Sequence, residues 1–282
     1  MQAFDHFTPN SLPETFDLLH QSNGNACFMA GGSDIMIKMK KGLETPATLI
    51  NIKRLPELKG IAYDEETGLQ LGALTTLGEL TRSPIIRSHY PCLAKTAGLM
   101  ASKQIRNFAT VGGNLCNASP SADLAPPLIA LGATVQLVGQ HGERELLLED
   151  FFLGPGQSAL APGELLRRIN VPSTKTEIIY IKHVPRAFMD ISVVGVCVRL
   201  TRAETVCRLA RIVLGAVAPT PLRVKPAEAV LVDQSLTSDR IDRAARLAAE
   251  ACTPIDDAGG SAWYRRRMVE VATRRALQQM LE

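Results

Sequence analysis

Thr110-Val111-Gly112-Gly113-Asn114-Leu115-Cys116-Asn117-Ala118-Ser119-Pro120-Ser121-Ala122-Asp123 is the stretch that decides how this chain folds. It lies within Met100 to Pro127, a segment that is apolar yet lacks a helical period and is interrupted by glycine, asparagine, serine and proline. A stretch this long without regular structure in a compact domain is usually functional. Paired glycines let backbone N–H groups come close to a ligand. Thr110 places a hydroxyl before Gly112-Gly113, and Asn114 places an amide after them. Asp123 is a candidate acceptor for a sugar or polyol hydroxyl. The same residues also fit an ordinary long loop.

The same chemistry occurs nearer the N-terminus. Ala26 to Ala30 reads as a short buried strand, and Ala30-Gly31-Gly32-Ser33-Asp34 leads from it into helix-like sequence. Ser33 adds a hydroxyl donor, and the start of a helix favours a phosphate. Taken alone, this too fits a plain strand-to-helix turn. Two Gly-Gly loops of one chemistry weaken both plain readings. One from each lobe, they could hold the two phosphates of an extended dinucleotide. Competing motifs fail: GxxxxGK(S/T) is absent, which excludes a P-loop. Gly154-Pro155-Gly156-Gln157-Ser158-Ala159 matches GxGxx(G/A) in form, but no helix with a suitable acidic residue follows it.

Around these loops the chain reads as alternating elements. Ser11-Leu12-Pro13-Glu14 is a capping box opening a helix, and Thr48 to Ile52 is a second strand. Leu69 to Ala73 is strand-like, Thr76-Leu77-Gly78-Glu79 is another capping box, and Pro84 fits a helix's first turn. Leu128 to Val138 gives a helix and then a strand. Leu165 to Val171 is a strand, ended by Pro172-Ser173. A third segment runs from about Lys175, with strands at Glu177 to Lys182, Ile191 to Thr201 and Val206 to Val217. Arg202 to Thr205 makes the turn between the last two. Two helices follow. Asp239 to Cys252 has Ile241, Ala245, Ala248 and Cys252 on one face, and Ser261 to Leu281 has Tyr264, Met268, Val271 and Met280. The expected division is 1–173, with subdomains of about 1–58 and 59–173, followed by 174–282.

Composition narrows the function. Of 282 residues 46% are hydrophobic and 21% charged, so a packed core is expected. Net charge is +3, from 31 basic and 28 acidic residues, too balanced to indicate nucleic acid or a membrane surface as partner. No apolar run reaches the roughly 18–20 residues of a membrane span. Met1-Gln2-Ala3-Phe4-Asp5 does not open a secretory signal, so a cytoplasmic location is expected. The six cysteines, Cys27, Cys92, Cys116, Cys197, Cys207 and Cys252, form no CxxC pair. Zinc and iron–sulfur sites need tighter grouping, so any redox centre must be a bound cofactor. The five histidines are scattered, and no metal site is expected. Lys182 to Ile191, between two strands, fits a surface hairpin loop. It also fits a lysine beside a flavin, stabilising the anion formed on reduction. Arg265-Arg266-Arg267 reads as a solvated face or a subunit contact.

In this order, the motifs resemble the FAD-binding medium subunit of the molybdenum hydroxylases. That family includes bacterial xanthine dehydrogenase, aerobic carbon monoxide dehydrogenase and related aldehyde or N-heterocycle oxidoreductases. Ala30 to Asp34, Gln104-Ile105-Arg106-Asn107 and Thr110 to Asp123 carry the resemblance. Phe151 to Gly156, Gly163-Glu164-Leu165-Leu166, Lys182 to Ile191 and Ala218-Pro219-Thr220-Pro221 continue it.

The resemblance implies an α+β fold. Two α/β FAD-binding subdomains of the vanillyl-alcohol-oxidase/PCMH type would precede an α+β C-terminal domain with an antiparallel sheet and helices. It implies FAD contacts from Met29, Ala30, Gly31, Gly32, Ser33, Asp34 and Ile35, and from Thr110, Val111, Gly112, Gly113, Asn114 and Ser119. Asp123 would hold a ribityl or ribose hydroxyl, and Leu166 would meet the isoalloxazine through its backbone. Met100 stands where relatives have an apolar or aromatic neighbour of the flavin. Lys182 would lie at the flavin, with Asp190 and Ile191 bordering its reactive face; no residue here is assigned a catalytic role. No histidine or cysteine sits where a covalent link would be read, so the FAD is expected to be non-covalent. The dispersed cysteines set the chain apart from the benzoyl-CoA reductase branch, which carries a cysteine-rich insert. The implied partners are a large molybdopterin-binding subunit and a small subunit with two [2Fe-2S] clusters, in a dimer of heterotrimers. Electrons would leave to NAD+, dioxygen or a quinone-type acceptor. The rival readings are a self-contained FAD oxidase or reductase, for which no persuasive base is found, and a non-catalytic nucleotide-binding protein.

Overall fold

In the computed structural model, which describes residues 2–174, 176–186 and 189–281, the first lobe is built on three parallel strands. They are β1 (Asp5–Phe7), β2 (Ala26–Met29) and β3 (Thr48–Asn51), with β3 in the middle. Helix α1 (Leu12–Gln21) begins where Ser11 accepts from the Glu14 amide, and α2 (Ile35–Lys40) follows Asp34. Phe16, Ile50, Ile52, Leu55 and Leu58 form its core together with Leu74, Val138 and Leu165 of the next lobe, so the two lobes share apolar packing.

The second lobe carries a five-stranded antiparallel sheet in the order β4 (Ile61–Asp64), β5 (Gly68–Gly72), β10 (Leu165–Val171), β6 (Thr134–Gly139), β7 (Gly142–Leu147). Between β5 and β6 lie α3 (Leu77–Arg82), α4 (Pro84–His89), α5 (Pro91–Gly98), α6 (Lys103–Arg106), α7 (Val111–Cys116) and α8 (Ala125–Leu131). Alternate residues of the sheet, Leu69, Leu71, Val135, Leu137 and Ile169, meet Leu93, Leu115 and Leu128 of these helices. Gly154 to Ala159 is spent on a hairpin, β8 (Phe152–Gly154) and β9 (Gln157–Ser158).

The third lobe is an antiparallel sheet of β11 (Glu177–His183), β12 (Val194–Ala203), β13 (Val206–Gly215) and β14 (Leu222–Arg223). Helices α9 (Lys225–Ala229), α10 (Ser238–Ala251) and α11 (Ala262–Gln279) complete it. Its strands alternate between two cores. Val196, Val198, Ile212 and Leu214 face α10 and α11, whereas Cys197 and Val213 join the second lobe's core. Buried Arg199 locks this junction. Its guanidinium donates to the Ala130 and Leu131 carbonyls at the end of α8 (3.2 and 2.9 Å) and to the Thr174 and Thr176 hydroxyls. A cation on a helix's last carbonyls satisfies orphan acceptors and complements the dipole.

Several expectations need correction. Met100 to Pro127 is not without regular structure, because Ser102 and Thr110 cap α6 and α7. Helices of four and six residues are too short to leave a period, and two glycines dilute the second. The turn in the third sheet is confined to Glu204-Thr205, and β12 begins at Val194, leaving Ile191 exposed. In α11 the buried stripe is Arg265, Val269, Ala272 and Ala276, one position on from Tyr264 and Met268. Arg265 is therefore not on a solvated face. It donates to the Val193 and Ala216 carbonyls (3.1 and 2.9 Å) and pairs with Asp257, while Arg266 and Arg267 are exposed. Lys175 at the head of the third segment, and Ala187 and Phe188 inside the 182–191 loop, lie outside the described residues.

Candidate functional site

The first two lobes meet along a cleft of about 250 Å³. Ala30 to Ile35 form one wall; Thr110, Gly112, Gly113 and Asn114 form the other; Leu165 and Leu166 of β10 close the floor. The loops touch directly. A Cβ on Gly31 would lie 2.2 Å from the Phe108 carbonyl oxygen, so only glycine lets the lobes approach this closely. Gly112 abuts Ala73 in the same way, with its would-be Cβ 2.6 Å from the Ala73 Cβ. Asn117 Nδ2 reaches across to Asp34 Oδ1 (3.2 Å), and Ser33 Oγ donates to Asp34 Oδ2 (3.0 Å).

The two loops are not equivalent. On the second, the Val111 amide donates to Thr75 O (2.8 Å), Gly112 to Ala73 O (2.9 Å) and Asn114 to Thr110 O (3.0 Å). The Gly113 amide is capped by Thr110 Oγ1 (3.0 Å). On the first, the N–H groups of Gly31, Gly32, Ser33 and Asp34 have no partner among the described residues. Gly32 turns this loop with a φ of +85°, a left-handed conformation suited to glycine. The Asn114 side-chain oxygen is buried beside the cleft without a partner, and a Cβ on Gly113 would meet only Thr110 Oγ1 within 4 Å. Open donors on one wall, an unsatisfied acceptor and an unfilled glycine face on the other suit an extended ligand with a phosphate-like centre.

Other expected residues lie outside the cleft lining. Met29 and Val111 are buried just behind it, and Met100 packs in the second lobe's core. Ser119 accepts from the Ser121 amide. Asp123 and Lys182 form a buried ion pair (2.9 Å) at the junction with the third lobe, and Lys182 Nζ also donates to the Leu99 carbonyl (3.3 Å). The other Asp123 oxygen accepts from Tyr180 OH (2.7 Å) and Ser192 Oγ (2.5 Å). Burial, and then the Asp123 charge, push the Tyr180 phenol well above its ordinary range, so it stays a donor. Asp190 pairs with Arg186 (3.1 Å), whose hydrogen bond holds the carboxyl below its usual range, and Ile191 is exposed.

Of the polar lining residues, Lys38 carries no sequence signal. Lys38 sits one turn into α2, and Cys116 and Asn117 close the end of α7. Burial pushes the Cys116 thiol up to about 12, so it is inert as a nucleophile at neutral pH. Glu164 is held by Arg144 through two bonds (2.8 and 2.7 Å), which keeps its carboxyl below the usual range. Among the described residues no three His, Cys, Asp or Glu side chains converge as a metal site.

Comparison with known proteins agrees with this geometry. Residues 2–174 match the family model for the FAD binding domain in molybdopterin dehydrogenase, and residues 179–280 match that for the CO dehydrogenase flavoprotein C-terminal domain. The carbon monoxide dehydrogenase medium chain of Afipia carboxidovorans is 34% identical over 98% of this chain and 96% of its own length. The nicotinate dehydrogenase FAD-subunit of Eubacterium barkeri is 33% identical over 96% and 93%. A structure of the carbon monoxide dehydrogenase from Hydrogenophaga pseudoflava superposes with a TM-score of 0.94 at 34% identity, covering 98% of this chain and 96% of the other. The chain thus belongs to the family of FAD-binding subunits of molybdopterin dehydrogenases.

Proposed function

We propose that this chain is the electron-transfer flavoprotein of a three-component molybdenum hydroxylase. The observation that carries the reading is the two-loop clasp, with its open 31–34 amides, within a chain whose likeness to such subunits runs nearly end to end. The relatives named above are a carbon monoxide dehydrogenase medium chain and a nicotinate dehydrogenase FAD-subunit, so the organic substrate is read as a property of another chain. In this reading a large subunit holds the molybdopterin centre and oxidises the substrate. A small subunit with two [2Fe-2S] clusters relays the electrons here, and the complex is a cytoplasmic dimer of heterotrimers. No helix of the described residues is long and apolar enough to cross a membrane.

Bound FAD, held non-covalently, supplies the step between one-electron and two-electron carriers, with NAD+, dioxygen or a quinone-type compound as acceptor. The protein's part is to hold it. Ala30 to Ile35 present amides to the pyrophosphate, Thr110 and Gly112 to Asn114 form the opposite wall, and Leu166 offers its backbone to the isoalloxazine. Asp123 and Lys182 would border the flavin from the domain junction, outside the cleft lining, with Tyr180 and Ser192 holding the carboxylate. The division into 1–173 and 174–282 is supported by the separate family matches.

An absorption spectrum of the purified chain, before and after acid precipitation, tests this. Flavin bands that move to the supernatant are expected. A colourless protein that also fails to take up added FAD would sink the reading.

A further inference from the structure

The geometry points to Lys38 as the cation that balances the diphosphate of the bound dinucleotide, a role that rests on the FAD reading of the cleft. The first loop offers the unpartnered amides of Gly31 to Asp34, but amides carry no net charge. The cleft's charged lining residues are Asp34, Lys38 and Glu164. Both carboxylates are engaged, Asp34 by Ser33 and Asn117, Glu164 by Arg144 and the Ala161 amide. Lys38 has no ion-pair or side-chain hydrogen-bond partner among the described residues and is half-buried on the lining.

Its place on the helix aims it. The Lys38 amide donates to Asp34 O (3.0 Å), so Lys38 sits one turn above the loop. Helical side chains lean toward the N-terminus, which brings a long ammonium stem back over the 31–34 amides. A diphosphate seated on those amides meets its countercharge there, whereas a neutral isoalloxazine has no use for it. Lys38 therefore selects the adenosine-diphosphate half of the ligand. The second loop, with its amides already used, supplies shape.

The test uses the full chain with flavin removed, titrated calorimetrically with FAD, ADP and riboflavin at about 0.05 and about 0.5 M salt, either side of the range over which exposed charges become screened. Lys38→Met is expected to weaken FAD and ADP by about tenfold, the scale of one charge-assisted hydrogen bond. Riboflavin binding should be unchanged, and the salt dependence of FAD binding should flatten. Lys38→Arg should restore most of both, and thermal melts of both variants should match the parent. Parental FAD affinity and salt slope in Lys38→Met would overturn the assignment while leaving the FAD site standing. So would an equal loss of riboflavin, which would make Lys38 a shaper of the cleft. If the parent chain binds neither FAD nor ADP, the cleft reading itself fails, and this one with it.

Discussion

A single methyl group, placed first on Gly31 and then on Gly113, should separate lobe packing from ligand binding. In Gly31→Ala the new Cβ would lie 2.2 Å from the Phe108 carbonyl oxygen, 2.9 Å from its carbon and 3.0 Å from the Ala109 Cα. Non-bonded heavy atoms settle near 3.5 Å, so the loops must part by roughly 1 Å. All three obstructing atoms are backbone, so no rotamer change relieves the clash. Overpacking of this kind costs about 1–3 kcal/mol. At about 2–4 °C per kcal/mol for a chain of this size, the melt should fall by several degrees.

Gly113→Ala differs. Alanine inside a helix gains about 0.5–1 kcal/mol over glycine. The methyl crowds the Thr110 hydroxyl at 2.8 Å and disturbs a cap worth about 1 kcal/mol. The flavin-free protein should therefore melt within a degree or two of the parent. The methyl otherwise projects into the cleft, where about 1–3 kcal/mol of overpacking weakens FAD by about 5- to 150-fold. Melts of the flavin-free chain and FAD titrations followed by flavin fluorescence read both quantities. The reasoning fails if Gly113→Ala binds FAD as the parent does, or if Gly31→Ala melts where the parent does.

Three further outcomes are expected. Asp123→Asn strands the Lys182 ammonium in a buried site and should cost about 3–5 kcal/mol in urea unfolding. Adding Lys182→Met should recover part of that loss, and a strictly additive double mutant would contradict the pairing. Arg265→Ala leaves the Val193 and Ala216 carbonyls unsatisfied and should cost about 2–4 kcal/mol, while Arg266→Ala should stay within about 0.5 kcal/mol. Burial, and then the Arg275 charge, hold the His183 imidazole below its ordinary 6.5. The unfolded chain then binds this proton more readily, so the stability His183 contributes is present above pH 6.5 and is lost as pH falls. His183→Gln should flatten the melting profile below that pH, and an unchanged acid slope would refute it.

The fold was legible where local chemistry and burial point the same way. β12 and β13 alternate between two cores, so their apolar runs were readable as strands. β1 is a three-residue exposed edge and leaves no such trace. In α11 the inward stripe is carried by alanine and an arginine, so the larger Tyr264 and Met268 drew the reading one position away. The cleft was legible because two glycine pairs of one chemistry occur in separate lobes, where either pair alone fits a plain loop. What could not be read was that the pairs do different work. Gly112's amide is spent on Ala73 and Val111's on Thr75, partners on the far side of a folded interface. Asp123 shows the same limit. The chain puts it among small polar residues, where it reads as facing a ligand. The three groups that bind it lie 57, 59 and 69 residues further on, two on β11 and one just ahead of β12, which only the fold brings near. Lys38 is the converse case: a lysine on a short helix reads as solvated until the opposite wall is in place. Motifs thus report what backbone a loop can make, while charge balance and hydrogen-bond vacancy belong to the assembled cleft. For that reason Gly113 and Lys38, rather than the glycine pairs as such, are the positions at which FAD recognition by this chain can be tested apart from its folding.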